Sequence, residues 1–110
     1  MKDIDELSIE FPPDFDARAE YEAEAEAEAR GVLDDVMVSV GGRSFSFCFY
    51  TPERIKLEAD LSLSATGSCL PLVNSVVVKK IDRLSIGQAV KYMHIGNYLR
   101  FTYSDPTTAG

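Results

Sequence analysis

Two runs of alternating apolar residues, joined by a pair of glycines, constrain the fold of this chain more than any other feature. The first run, VMVSV, leads into Gly41-Gly42, and the second, FSFCF, begins at Phe45. This arrangement predicts a β-hairpin, because tight hairpin turns require positive φ angles that glycine adopts readily. The valines and phenylalanines would face the core, and Asp34-Asp35 would close the preceding turn. The opposite face would carry Ser39, Ser44, Ser46 and Cys48.

A helix is predicted directly after the hairpin. Thr51 can cap it, Pro52 suits the first helical position, and Glu53 sits favourably in the first turn. The buried side would hold Ile55, Ala59 and either Ser62 or Leu63. Residues 64–73 read as a loop.

The second half of the chain predicts a strand, a helix and a last strand. Three successive valines within residues 74–79 are typical of a strand covered on both faces. Ser85 and Gln88 form a capping-box pattern, and Gly96 is a natural helix stop. The buried stripe of this helix would be Ile86, Ala89, Val90 and Met93. The last strand would follow the alternation of Leu99, Phe101 and Tyr103.

The stretch YEAEAEAEAR, residues 21–30, allows two interpretations. As a strand, residues 19–30 sort into an alanine face and a glutamate face, because side chains alternate with period two. As a helix, the glutamates would spread around the cylinder and like charges would meet one turn apart, which is unfavourable. Alanine and glutamate nevertheless prefer helices to strands. We favour the strand because the period outweighs the propensity, and the helix remains the alternative.

These elements predict an α+β fold with a mostly antiparallel sheet of about five strands and two helices packed on one face. Leu7, Ile9 and Phe11 alternate before Pro12-Pro13, which predicts a short edge strand. We expect one domain spanning residues 1–110. Residues 1–16 would form its N-terminal edge segment and residues 104–110 a flexible tail.

The charge of the chain is strongly uneven. Residues 1–35 contain thirteen acidic and three basic side chains, a balance of −10, whereas residues 36–110 balance to +3. Such an acidic front half argues against nucleic-acid binding and favours a basic protein partner. No apolar run is long enough to cross a membrane, and no secretory signal is evident. We therefore expect a cytoplasmic protein with both cysteines reduced.

The candidate site follows from the strand interpretation. Carboxylates on alternate strand residues repeat at roughly 7 Å and would form one acidic row for a basic partner. The residues expected to bind that partner are Glu20, Glu22, Glu24, Glu26 and Glu28. A solvated sheet face would explain the same pattern without any partner.

No catalytic, metal-binding or cofactor-binding pattern is visible. His94 is the sole histidine, at the end of a predicted helix, where a structural role is usual. Cys48 lies in a predicted strand between Phe47 and Phe49, where a small core thiol is the usual interpretation. Cys69 lies in a predicted loop, and nothing near it in sequence would lower the pKa of its thiol. The sequence therefore predicts no catalytic residues, no metal and no cofactor.

The stretch FSFCFYTPERIKLEADL, residues 45–61, resembles one group of small bacterial immunity proteins that neutralise polymorphic or contact-dependent toxins. The resemblance covers roughly residues 35–93. It includes the strand leading into Thr51-Pro52, the Val76-Val77-Val78 strand and the helix from Ile86. It implies a non-enzymatic protein that binds a toxin domain and occludes its active site.

The sequence is therefore compatible with three functional hypotheses. The first is a non-enzymatic protein-binding module, in its specific form an immunity-type inhibitor. The second is a self-associating structural domain, a homodimer formed through the alanine face or a sheet edge. The third is a small enzyme using Cys48, Cys69 or His94.

Overall fold

A computed structural model describes residues 7–16, 20–96 and 98–101 of the chain. In chain order, the described residues form strand β1 (Leu7–Glu10), the single turn α1 (Pro13–Asp16), helix α2 (Glu20–Arg30), strands β2 (Val32–Val40) and β3 (Arg43–Tyr50), helix α3 (Pro52–Thr66), strand β4 (Ser75–Val77), helix α4 (Arg83–Ile95) and a 3₁₀ helix (Tyr98–Phe101).

The sheet has the order β1-β2-β3-β4. The first two pairings are antiparallel, and β4 joins β3 in parallel after the crossover through α3. The predicted α+β class is confirmed, but the described part of the sheet has four strands rather than about five, and it is mixed. The difference arises because one predicted strand is a helix and another is a 3₁₀ helix.

The predicted hairpin is confirmed. Val38 pairs with Phe45 and Val36 with Phe47, and these four side chains are buried. Gly41 and Gly42 have φ angles of 58° and 81°, the left-handed conformations that this turn requires. Alternation, turn chemistry and β-branched or aromatic side chains all favour the same structure here.

The expected turn at Asp34-Asp35 lies instead inside β2. The register shifts between Leu33 and Val36, which makes the aspartate pair a β-bulge. Asp35 has a φ of 61°, a left-handed conformation that aspartate tolerates better than most residues. The turn before the strand is made by Gly31, with a φ of 75°.

The strand predicted over residues 19–30 is wrong: Glu20–Arg30 is helix α2, and Ala19 lies outside the described residues. Ala23 and Ala27, one turn apart, are both buried in the main core cluster. These two small side chains pack the helix against the core. Alanine and glutamate also have favourable helix propensities, which stabilise the helical conformation. The alternation with period two therefore does not predict the secondary structure of this segment.

Helix α4 is the main helical component of the core. Ile86 and Val90 are buried, and Ala89 and Met93 pack against them, so the predicted stripe is confirmed. The predicted capping box is wrong, because the helix starts three residues earlier than a cap at Ser85 would require. Asp82 is the cap, and its carboxylate accepts the N–H of Ser85 at 2.7 Å.

Helix α3 begins as predicted but buries no residue. The Thr51 hydroxyl accepts the N–H of Arg54 at 3.3 Å, and Pro52 occupies the first turn. Ile55, Ala59 and Ser62 are half-buried, whereas Leu63 is exposed. Of the two predicted helices, only α4 therefore contributes buried side chains to the core. Helix α2, the single turn α1 and the 3₁₀ helix contribute the other buried helical side chains.

The remaining predictions have mixed outcomes. Leu7 and Ile9 lie in edge strand β1, as expected. The strand predicted over residues 74–79 is only three residues long, and Val77 is exposed, so it is not covered on both faces. Leu99 is buried in a 3₁₀ helix instead of a strand. Tyr103 and residues 104–110 lie outside the described residues.

Candidate partner-binding surface

Helix α2 does not present its glutamates as one row. Residues two apart on a helix differ by about 200° in direction, so consecutive glutamates point to different sides. Glu22 and Glu26 are exposed, whereas Glu24 is half-buried. The side chain of Glu20 lies outside the described part of the chain. The expected line of five carboxylates on a sheet face is therefore wrong.

Two of the glutamates join α2 to the start of α4. Glu28 Oε1 accepts the N–H of Ile81 at 2.6 Å, and Glu24 Oε2 accepts the N–H of Arg83 at 2.9 Å. The guanidinium of Arg83 also lies 3.5 Å from Glu24 Oε2. The carboxylate of Glu24 is favourable here, because Arg83 is the first residue of α4 and the N-terminus of a helix carries unpaired N–H groups and a partial positive charge.

This role has a cause that is visible in the sequence of α4. The first turn of α4 contains no acidic residue, although acidic side chains are favoured there. The cap Asp82 places one carboxylate at the helix N-terminus, and Glu24 adds a second from α2. This role is not visible in the sequence of α2, because all five glutamates occupy equivalent positions in its alternating pattern.

Three of the exposed acidic side chains line one cavity. The bulge in β2 places Asp34 and Asp35 at the surface, and Glu26 faces the same cavity from α2. Bulges often serve to redirect side chains in this way. The cavity has a volume of about 440 Å³. We call these three carboxylates, with the cavity they surround, the acidic cavity.

The acidic cavity combines negative charge with an apolar lining. Its apolar wall is made by Pro12, Phe15, Ala23 and Leu33. Among the described residues that line the cavity, Arg30 is the one basic side chain, and their formal balance of three acids and one base is −2. An apolar wall beneath carboxylates suits a lysine or arginine side chain, whose stem is apolar and whose end is charged.

Cys48, on strand β3, is hydrogen-bonded to the bulge in β2. Its thiol donates a hydrogen bond to Asp34 Oδ1 at 2.8 Å. Burial, followed by this bond to an anionic carboxylate, raises the pKa of Cys48 to about 12. The pKa of Tyr50 is also raised to about 12, and its hydrogen bond with Cys48 is the largest cause. The Cys48 thiol is therefore protonated at neutral pH, which is unfavourable for a nucleophile.

The other two candidates for chemistry lie elsewhere. Cys69 is exposed in the loop after α3, and its carbonyl accepts a hydrogen bond from Ser62 at 2.8 Å. His94 is half-buried in the last turn of α4. No hydrogen bond between described residues connects Cys48, Cys69 and His94. The described residues also contain no group of three or more His, Cys, Asp or Glu side chains that could hold a metal ion.

Comparisons of the chain with protein-family models, with curated proteins and with solved structures found no match. Among the residues that the structure describes, no helix has the length and hydrophobicity needed to cross a membrane.

Proposed function

We propose that this protein is a non-enzymatic protein-binding module whose acidic cavity receives a basic side chain of a protein partner. The observation that carries the proposal is the convergence of Glu26, Asp34 and Asp35, from two different elements, on one cavity with an apolar wall. Net charge alone would explain acidic side chains anywhere on the surface. It gives no reason for their placement around a concave site.

The chemistry of the cavity selects the partner class. An arginine or lysine entering it would lay its stem against Phe15 and Leu33 and bring its charge to the rim. Contacts of this kind are charge-assisted, and the surrounding negative field would speed encounter with a basic protein at low salt. The binding residues thus become Glu26, Asp34 and Asp35, with Glu22 exposed one turn before Glu26 on the same helix.

The specific form of the proposal is an immunity-type inhibitor. The sequence resemblance through Thr51-Pro52 and the following helix supports it, and a basic, nucleic-acid-degrading toxin domain would be a suitable partner. The inhibitor would act by covering the active site of that domain. Co-purification with the product of a neighbouring open reading frame tests this form, since immunity genes lie beside their toxin genes.

A direct test uses a short peptide that carries one arginine between apolar residues, titrated into the labelled protein and followed by NMR. We expect shifts at Glu26, Asp34 and Asp35. The variant Glu26→Gln/Asp35→Asn should bind about tenfold more weakly at low salt, because it removes two rim charges. Asparagine tolerates the left-handed conformation of Asp35, so the bulge should persist.

The matched control is Glu53→Gln/Asp60→Asn on α3, which removes the same two formal charges from exposed positions outside the cavity. It should leave the affinity nearly unchanged. Equal weakening by both double variants would mean that the peptide responds only to net charge, and the cavity would then have no role.

A further inference from the structure

A second, chemically different surface lies at the β1 edge of the sheet. A groove of about 380 Å³ runs between β1 and α4, lined on the strand side by Leu7 and Ile9. Leu84 and Lys91 line it on the helix side. Leu84 is 71% exposed, and Ile95, farther along the same side of the helix, is 79% exposed. Large apolar side chains with this exposure, beside the edge strand of the sheet that the described residues form, are typical of an interface.

The outward row of α4 has a self-complementary order. Its members are spaced by four, three and four residues and lie on one side of the helix: Leu84, Gln88, Lys91 and Ile95. The ends of the row are apolar and its centre is polar. Two such rows placed antiparallel would match Leu84 with Ile95 and Gln88 with Lys91. A surface that matches its own reverse is what a two-fold symmetric dimer requires.

Pairing of two β1 strands would have the same two-fold symmetry. Arg83, at the start of α4, lies over Phe11, which follows β1, so the helix begins beside the end of the strand. Two β1 strands could pair antiparallel about a two-fold axis perpendicular to the sheet. The same face of the sheet in both copies would then be continuous, because directly opposite side chains in an antiparallel pair lie on one face. Leu7 and Ile9 of both copies would then face the same side, and the two α4 helices would lie antiparallel there.

Gly87 gives independent support. It lies in the middle of α4, where glycine costs about 0.5–1 kcal/mol relative to alanine. A Cβ added to it would meet no atom within 4 Å, so nothing inside the chain requires a glycine here. Gly87 also lines the groove. A missing side chain at an open groove leaves room for a side chain of another molecule.

The charge distribution is compatible with a second copy of the chain in this groove. The chain carries a net charge of −7, and two copies repel each other wherever their acidic surfaces meet. Helix α4 contains no aspartate or glutamate and brings Lys91 to the groove. We propose that the groove between β1 and α4 binds a second copy of this chain, so that the two sheets join through their β1 strands and the α4 helices pack antiparallel across the axis.

Sedimentation velocity over a concentration series tests the proposal. The unmodified protein should show a reversible monomer–dimer equilibrium. Leu84→Glu should abolish the dimer, because it places a carboxylate against the apolar Ile95 of the other copy. Gly87→Gln should weaken the dimer at least about tenfold by filling the groove, and it should fold normally because its Cβ meets open space.

The matched control is Leu61→Glu on α3, which places the same charge at another exposed leucine. It should leave the dimer intact. The proposal is overturned if the unmodified protein stays monomeric up to on the order of 1 mM. It is also overturned if Leu61→Glu, rather than Leu84→Glu, removes the dimer, or if folded Gly87→Gln dimerises as strongly as the unmodified chain.

Discussion

Helices α2 and α3 are both rich in charge, yet the rest of the molecule holds them in different ways. Helix α2 buries two alanines in the core and binds the start of α4 through Glu24 and Glu28. Helix α3 buries no side chain, although it contains three leucines. The number of large apolar residues in a helix therefore does not determine how firmly it is packed. Their positions relative to the sheet do.

The charged residues of the two helices differ in the same way. In α3 they pair within the helix: Arg54 Nε donates to Glu58 at 2.8 Å, and Lys56 Nζ lies 3.4 Å from Asp60. These pairs stabilise the helix itself by a few tenths of a kcal/mol each, but the paired residues lie in the same helix, so the pairs form no contact with another element. In α2, two carboxylates instead bind backbone N–H groups of another element, which fixes one helix against another.

Helix α3 is attached mainly at its first turn. Thr51 caps the helix, its N–H donates to Gly31 O at 2.9 Å, and Arg54 Nη1 donates to Arg30 O at 3.1 Å. A Cβ on Gly31 would lie 2.8 Å from the Thr51 hydroxyl and 2.9 Å from Arg54 Cβ, so this contact requires glycine. The remaining turns of α3 rest on half-buried contacts alone.

The largest expected difference between the two helices concerns their inner alanines. Ala27→Leu should destabilise the protein by about 1–3 kcal/mol, because the site is fully buried and extra methyl groups must displace the core. Ala59→Leu, at a half-buried position of α3, should cost less than about 0.5 kcal/mol. Urea unfolding of both variants measures the two free energies.

An equal loss of stability in both variants would contradict the comparison. It would mean that α3 is packed against the sheet as tightly as α2. The exposed alanine Ala25 provides a control in the same helix as Ala27, and Ala25→Leu should be nearly neutral.

A smaller effect is expected at the carboxylates that join α2 to α4. Glu24→Gln keeps an acceptor for the Arg83 N–H but removes the charge that interacts with the guanidinium and the helix end. The expected cost is about 1 kcal/mol, and it should shrink at high salt. Glu22→Gln is the matched control, since Glu22 is exposed on the same helix. Thermal unfolding in low and high salt distinguishes the two; a similar loss in both variants would refute the anchoring role.

The hairpin was predictable from the sequence because every local signal agreed. Alternating valines and phenylalanines, a Gly-Gly turn and high strand propensity all favour β2 and β3. The stripe of α4 was predictable for the same reason. In residues 20–30 the alternation and the propensity conflict, and the alternation misled because a helix needs only Ala23 and Ala27 to meet the core.

The acidic cavity could be predicted only in part. The excess of acid in residues 1–35 is visible in the sequence, but its arrangement depends on a bulge and on a helix that alternation concealed. Asp34 and Cys48 lie 14 residues apart, and a one-residue change in register would separate them. Glu24 and Arg83 lie 59 residues apart, beyond any local pattern.

The smallest expected effect concerns the charged pairs of α3. Lys56 and Asp60 are largely exposed, with 79% and 64% of their side chains accessible, so water and salt screen their attraction. Lys56→Gln should therefore change the free energy of unfolding by less than about 0.5 kcal/mol. Hydrogen exchange of the α3 amides should respond more than global unfolding does, because a helix with no buried side chain can open without disrupting the core. If instead the exchange of α3 tracks that of β3 in both the variant and the unmodified chain, α3 opens only with the whole protein, and the contrast with α2 fails.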